Sequence, residues 1–272
     1  MRSAIVPYYK SCVKCHRGCY NISVNKSTSW GNVANWYNDL IGKDQDSYQK
    51  KLILPNLIRL VEAKKEEVIV DLACGQGYFS QEFAKLGARV IGVDISPELI
   101  NIARQDKSVE YRVASADKLD FLQNSSVDKT VIILSLQNIE NVSDVIREVS
   151  RVLKPKGKLY LVLNHPTFRI PKASSWGWDD TKIQYRRLDA YLSESKEAIQ
   201  MHPGDNPREK TTSFHRPLQF YFKALGKNNL FVSRLEEWSS HRISEPGPKK
   251  EGEDTARREF PLLLFLEAVK II

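Results

Sequence analysis

Several features that would assign a class of protein at once are absent from this sequence of 272 residues. No apolar stretch reaches about 18 residues, the length that a transmembrane helix needs, and none near Met1 resembles the apolar part of a secretory signal. We therefore expect a cytoplasmic protein without a membrane span. Hydrophobic residues make up 42% of the chain, which suits one α/β domain carrying an insertion or a tail.

Acidic residues are missing from positions 1–29. The five basic residues there supply five of the eight net positive charges of the chain, so the remainder is only mildly basic. This distribution weakens the case for a nucleic-acid partner that the total charge would make. We expect 1–29 to be a disordered basic tail, although its composition also suits an organelle-targeting peptide, and 30–272 to be the folded domain.

Cysteine is scarce, and three of the four cysteines lie in that tail, at Cys12, Cys15 and Cys19. Thiolates at such spacing can bind zinc. A closed site needs four ligands, however, and only His16 is near enough to be considered. We therefore expect no metal site, and we interpret Cys74 as a small apolar filler.

The most informative segment joins two apolar runs through a glycine turn. The first run ends at Asp71, Gly75 and Gly77 follow, and the second run ends at Asp94. Glycines let a ligand approach the backbone, and the helix expected after them offers free N–H groups. An acid at the end of the second strand can accept hydrogen bonds from ribose hydroxyls. The pattern predicts a nucleoside cofactor at the carboxyl ends of a parallel sheet.

Two classes of nucleoside cofactor use this layout. The dinucleotide pattern is G-x-G-x-x-G/A, but Ser80 stands at its third small position. Asp71 would also repel a pyrophosphate, whereas it would suit the positive amino and sulfonium groups of S-adenosylmethionine. The residues therefore favour S-adenosylmethionine and disfavour a nicotinamide oxidoreductase.

The segment Asp71–Gly77 resembles motif I of the class I S-adenosylmethionine-dependent methyltransferases, D/E-x-G-x-G-x-G, with Ala73 where the first glycine is common. The resemblance continues in order over residues 30–165. It is greatest to small-molecule methyltransferases, including relatives of the ubiquinone/menaquinone C-methyltransferases. It implies that Asp94 binds the ribose and that Ile95 packs on the adenine. The cofactor-binding set that it implies is Tyr37, Asp71, Ala73, Gly75, Gly77, Asp94, Ile95, Ala116, Asp117 and Ser135.

Strand and helix patterns alternate along the middle of the chain, which predicts a parallel sheet covered on both faces. The predicted strands are 67–71, 89–93, 110–113, 130–135 and 157–164, with helices at 77–86, 97–105 and 142–153 between them. Earlier helices are expected at 29–37 and 48–61. A helix at 218–225 and strands at 230–238 and 260–269 follow, with a polar connection over 239–259. The resemblance implies a Rossmann-like, three-layer α/β sandwich whose seven-stranded, mostly parallel sheet ends in an antiparallel pair.

The segment 165–215 is too long for an ordinary loop. It leaves the expected carboxyl edge of the sheet, beside the ligand crevice, and it combines arginines with aromatic residues. Such residues suit a planar, anionic substrate, so we interpret the segment as a substrate cap. A lid that packs on itself and a dimer contact are the alternatives.

Methyl transfer needs a base only if the acceptor must lose a proton. His165 directly follows the fifth strand, and His215 lies at the end of the cap. A neutral histidine suits such a step near neutral pH, so both are catalytic candidates. Either could instead be a hydrogen-bonded structural histidine.

The predicted function is methyl transfer from S-adenosylmethionine to oxygen or carbon of a small, aromatic or acidic metabolite. One alternative is an RNA methyltransferase that uses the basic tail, whose binding would fall steeply with salt. The other is a protein that binds S-adenosylmethionine without turnover. The sequence does not indicate an oligomeric state.

Overall fold

The computed structural model describes residues 30–31, 34, 44–202 and 206–272. The tail 1–29, the expected helix at 29–37 and Tyr37 lie outside this description, apart from Trp30, Gly31 and Ala34. Within the described part of the chain, no helix combines the length and apolar character needed to cross a membrane.

A seven-stranded sheet forms the centre of the molecule. Its strands are β1 (Val68–Leu72), β2 (Arg89–Asp94), β3 (Glu110–Val113), β4 (Val127–Ile133), β5 (Leu153–Asn164), β10 (Leu230–Trp238) and β11 (Leu263–Lys270). They are ordered β10-β11-β5-β4-β1-β2-β3. The first five strands are parallel, and β11 runs antiparallel to both β5 and β10. The predicted fold class is therefore confirmed.

Helices cover both faces of the sheet because successive strand residues point to opposite sides. A π-helical turn, Gln49–Ile53, leads into the first helix. The helices are α1 (Leu54–Val61), α2 (Tyr78–Lys85), α3 (Pro97–Ala103), α4 (Val142–Val152), α5 (Leu218–Lys227) and α6 (Lys250–Glu259). One buried cluster joins α4 and α5 to residues such as Val70, and the other joins α1, α2 and α3 to residues such as Ile69.

The segment between β5 and α5 consists mainly of two antiparallel hairpins. The first pairs β6 (Ser174–Trp178) with β7 (Gln184–Leu188), and the second pairs β8 (Ser195–His202) with β9 (Asn206–His215). The parallel strands β1, β2, β4 and β5 all end at one edge of the main sheet, so the segment leaves from the edge where a ligand crevice is expected.

The connection after β10 differs from the expectation of a polar loop over 239–259, because its second half forms α6. Acidic Glu251 and Glu253 lie in the first turn of this helix, and Arg257 and Arg258 lie in its last turn. Both placements stabilise the helix, because these charges interact favourably with its dipole. The neighbouring glycines and prolines indicated a loop, so this charge pattern was not recognised as that of a helix.

Candidate active site

A cavity of about 340 Å³ opens at the carboxyl ends of β1, β2 and β4. Eight residues of the predicted cofactor set lie in its wall. They are Asp71, Ala73, Gly75, Asp94, Ile95, Ala116, Asp117 and Ser135. Residues that are distant in sequence thus meet in one cavity because their strands are adjacent in the sheet.

The turn after β1 holds three residues in the left-handed conformation. The φ angles are 55° at Ala73, 59° at Gly75 and 84° at Gly77. A hydrogen bond from the Cys74 N–H to the Val93 carbonyl (3.0 Å) ties the turn to β2. Left-handed φ is costly for residues with a Cβ, which explains why a glycine is common where Ala73 stands.

Gly77 lies outside the cavity wall, at the start of α2. A Cβ there would approach the Tyr111 hydroxyl oxygen to 2.1 Å. The requirement for glycine at this position therefore comes from the turn and from the packing of Tyr111 beneath it.

Asp71 is a buried acid without a cationic partner among the described residues. Its side chain accepts a hydrogen bond of 2.6 Å from the Ser80 hydroxyl. Burial raises the pKa of Asp71 to about 7, and the nearby charge of Asp94 adds to the rise while the Ser80 bond opposes it. A positively charged ligand would stabilise the ionised form of such a carboxylate.

Asp94 holds the turn from the end of β2. Its carboxylate accepts hydrogen bonds from the backbone N–H groups of Gly75 (2.9 Å) and Ser96 (2.8 Å). Burial raises the pKa of Asp94, and these bonds partly oppose the rise. The next residue, Ile95, is 54% exposed although it lines the cavity. It offers an apolar surface to a flat ring beside a hydrogen-bonding acid.

The side of the cavity near β3 carries Ala116 and Asp117. The Ser115 hydroxyl donates a hydrogen bond to the Asp117 carboxylate, and Ala116 is 9% exposed. An acceptor oxygen beside a small apolar residue suits an amino-substituted ring.

The side near β4 contains the predicted residue Ser135 and several residues that the sequence analysis did not select. Leu134 has φ 54° at the end of the strand, and the Ser135 hydroxyl has no hydrogen-bond partner in the described structure although it is buried. Asn138, Ile139, Glu140 and Asn141 complete this wall. Their position directly after the fourth strand was the only sequence signal that could have selected them.

His165 follows β5 but is absent from the cavity wall. Its Nδ1 accepts from the backbone N–H groups of Thr167 (3.2 Å) and Phe168 (3.4 Å), so Nε2 carries the proton and donates to Glu237 (2.8 Å). Burial lowers the pKa of His165 despite the carboxylate. The ring has no free lone pair with which to take a proton.

His215 is also absent from the cavity wall, and it is 3% exposed. Its Nε2 donates to the Tyr191 carbonyl oxygen (2.8 Å) within the segment between β5 and α5. The described site therefore does not bring either predicted histidine to the wall of the cavity.

The second hairpin is linked to the cavity through Glu140. Lys196 on β8 lies 3.2 Å from the Glu140 carboxylate, and Arg216, just after β9, donates to the Glu140 carbonyl oxygen (2.7 Å). The Arg216 guanidinium also lies 4.9 Å from the Phe214 ring centroid. These contacts bring the base of the hairpin to the rim of the cavity.

The described residues contain no cluster of three or more His, Cys, Asp or Glu side chains that could hold a metal ion. Cys12, Cys15 and Cys19 lie outside the described ranges, so the expectation about the tail stays a prediction.

Comparison with known sequences places a methyltransferase-domain family model on residues 70–161. A ubiquinone biosynthesis O-methyltransferase from Xanthomonas oryzae pv. oryzae is 36% identical over 128 residues, which cover 43% of this chain and 54% of that protein. The chain thus spans about half the length of the curated relatives it matches.

Comparison with solved structures also finds methyltransferases. An S-adenosylmethionine-dependent methyltransferase from Mesorhizobium loti has a TM-score of 0.64 and 26% identity, over 79% of this chain and 96% of that one. A 1,6-didemethyltoxoflavin-N1-methyltransferase from Burkholderia thailandensis, solved with its substrate and S-adenosylhomocysteine, has a TM-score of 0.53 and 13% identity, over 89% and 85%. The second likeness concerns the fold alone.

Proposed function

We propose that the chain is a class I S-adenosylmethionine-dependent methyltransferase, as its similarity to a methyltransferase-domain model and to methyltransferases of known sequence and structure supports, and that it methylates oxygen or carbon of a small, aromatic or acidic metabolite. The observation that carries the proposal is the cavity wall, where Asp71 and Asp94 end adjacent strands beside the exposed Ile95. The name of the relative from Xanthomonas oryzae, a ubiquinone biosynthesis O-methyltransferase, supports transfer to an oxygen atom of a small molecule.

The chemistry of the wall fits S-adenosylmethionine, which supplies an electrophilic methyl group on a sulfonium. In this proposal Asp71 binds the cationic amino group, since the buried acid has no cation of its own among the described residues. Asp94 accepts from the ribose hydroxyls and Asp117 from the adenine amino group, while Ile95 and Ala116 contact the ring. The turn from Ala73 to Gly77 lets the ligand approach the backbone closely. The Ser135 hydroxyl, which has no partner among the described residues, is available for a polar group of the ligand. Tyr37 remains a predicted contact outside the described residues.

The chain's contribution to the reaction is alignment of donor and acceptor, because an in-line displacement gains most from proximity and orientation. We propose that the hairpins within 165–215 cap the acceptor, supported by the contacts of Lys196 and Arg216 with Glu140 at the rim. His165 and His215 then hold the cap segment and serve as structural groups. Residues 30–272 would form this one domain, preceded by the tail 1–29.

The experiment is a transfer assay with S-adenosylmethionine carrying a radiolabelled methyl group, offered with a panel of phenols, aromatic acids and a structured RNA. We expect label in a small acceptor, and Asp94→Ala should reduce the rate at least about tenfold through loss of cofactor affinity. Asp120→Ala is the matched control because Asp120 is 75% exposed. Label in RNA alone would contradict the proposal, and cofactor binding without any transfer would favour the non-catalytic alternative.

A further inference from the structure

Two arginines and an indole form a cluster where the chain leaves β5. The guanidinium carbon of Arg186 on β7 lies 4.9 Å from the Trp176 ring centroid, and that of Arg169 lies 6.0 Å from it. The Phe260 ring meets Trp176 edge to face at 5.4 Å and Phe168 at 5.6 Å. We call these five residues the arginine cluster.

The two arginines differ in how their donors are used. Arg186 donates from Nε to the Phe168 carbonyl (2.9 Å) and from Nη2 to the Ser174 hydroxyl (2.6 Å). The Nε of Arg169, by contrast, is buried and has no acceptor in the described structure. Arg186 is therefore built into the hairpin, whereas Arg169 has donor capacity left over.

Charge balance distinguishes Arg169 further. No carboxylate within the described ranges forms an ion pair with Arg169 or Arg186. Burial lowers the pKa of Arg169, and the positive charge of Arg257 adds to this fall while Tyr48 opposes it. Taking a guanidinium out of water without a counter-charge is costly. The arrangement is therefore suited to a negatively charged ligand.

The cluster lies at the same edge of the sheet as the cavity. Arg169 follows the carboxyl end of β5 by five residues, and β5 is parallel to β4, whose end lines the cavity. The cluster and the cavity thus lie along the same edge of the sheet. A guanidinium binds an oxyanion through two parallel N–H groups, and neighbouring aromatic rings accommodate a planar group.

We propose that Arg169 binds an oxyanion, a carboxylate or a phosphate, carried by the methyl acceptor. The proposal rests on the proposed function for the identity of the ligand as the acceptor, but the anion site itself can be tested without methyl transfer.

The test titrates the full chain with benzoate, inorganic phosphate and neutral benzamide at constant ionic strength, by calorimetry. We expect saturable binding of benzoate or of phosphate and none of benzamide, and the preferred anion identifies the source of the oxyanion. Arg169→Met should weaken that binding at least about tenfold. The matched control is Arg187→Met, since Arg187 is 67% exposed and pairs with Asp189, and it should leave the affinity unchanged.

A thermal scan of the same variants separates a binding role from a structural one. In anion-free buffer, Arg169→Met should melt at the same temperature as the parent chain or higher, because a partly buried charge without a counter-charge is removed. A lower melting temperature, equal anion affinity in Arg169→Met and the parent, or no saturable binding of either anion would each overturn the proposal. If the parent chain does not bind S-adenosylmethionine, the proposed function is contradicted, whereas the anion-binding result still tests the anion site.

Discussion

The buried acids of the cavity show what a single residue contributes. Asp71 and Asp94 were selected from the sequence because each ends an apolar run beside the glycine turn. Their burial and raised pKa values could not be predicted, because they depend on packing in the folded chain, on the proximity of the two acids and on the Ser80 bond. Asp71 is therefore an unfavourable charge in the free protein that a cationic ligand would compensate.

Replacement of Asp71 by asparagine should stabilise the free protein at pH 8. The native pKa of about 7 lies above the unfolded value of about 3.9. Between these values the native state binds more protons, so this group's contribution to stability falls as pH rises from about 4 to 7. Asp71→Asn removes that loss, and one pKa unit corresponds to about 1.36 kcal/mol.

Urea unfolding at pH 5.5 and pH 8 measures this effect. Asp71→Asn should raise the unfolding free energy more at pH 8 than at pH 5.5, by a difference on the order of 2 kcal/mol. Its affinity for the cofactor should fall at both pH values. Asp120→Asn, at an exposed position, should show the same small change at both. A gain that is equal at the two pH values would contradict the raised pKa.

At the scale of elements, the alternation of strands and helices from β1 to β5 was predictable because the apolar periodicities are strong there. The hairpins within 165–215 were not predicted, since their strands are rich in polar residues and lack a clear alternation of apolar and polar residues in the sequence, as in Gln184–Leu188. Helix α6 was missed because glycine and proline nearby favoured a loop. The two candidate histidines lie outside the cavity wall, since sequence proximity to a strand end does not fix the direction of a side chain.

The turn between β1 and α2 can be tested through Gly77. Gly77→Ala should lower the unfolding free energy by about 1–3 kcal/mol, because φ is 84° and the new Cβ would meet Tyr111. Gly226→Ala is the matched control in α5, where nothing lies within 4 Å of the added Cβ, and it should be neutral or stabilising by up to about 1 kcal/mol. Equal free energies for Gly77→Ala and the parent in urea unfolding would show that the turn does not need this conformation.

For the whole molecule, the family resemblance predicted the mostly parallel seven-stranded sheet and its antiparallel end, and eight predicted residues meet in one cavity. The wall after β4, from Asn138 to Asn141, was not predicted, since its membership depends on how the chain turns at Leu134. The arginine cluster likewise depends on contacts between β6, β7 and the residues beside α6, which no local pattern specifies.

The central claim is that this cavity binds S-adenosylmethionine, and calorimetric titration of the purified chain tests it most directly. We expect S-adenosylmethionine and S-adenosylhomocysteine to bind in the micromolar range and NAD not to bind, with Asp94→Ala losing about tenfold or more in affinity for the first two. Binding of NAD alone, or undiminished S-adenosylmethionine binding by Asp94→Ala, would contradict the account of the site.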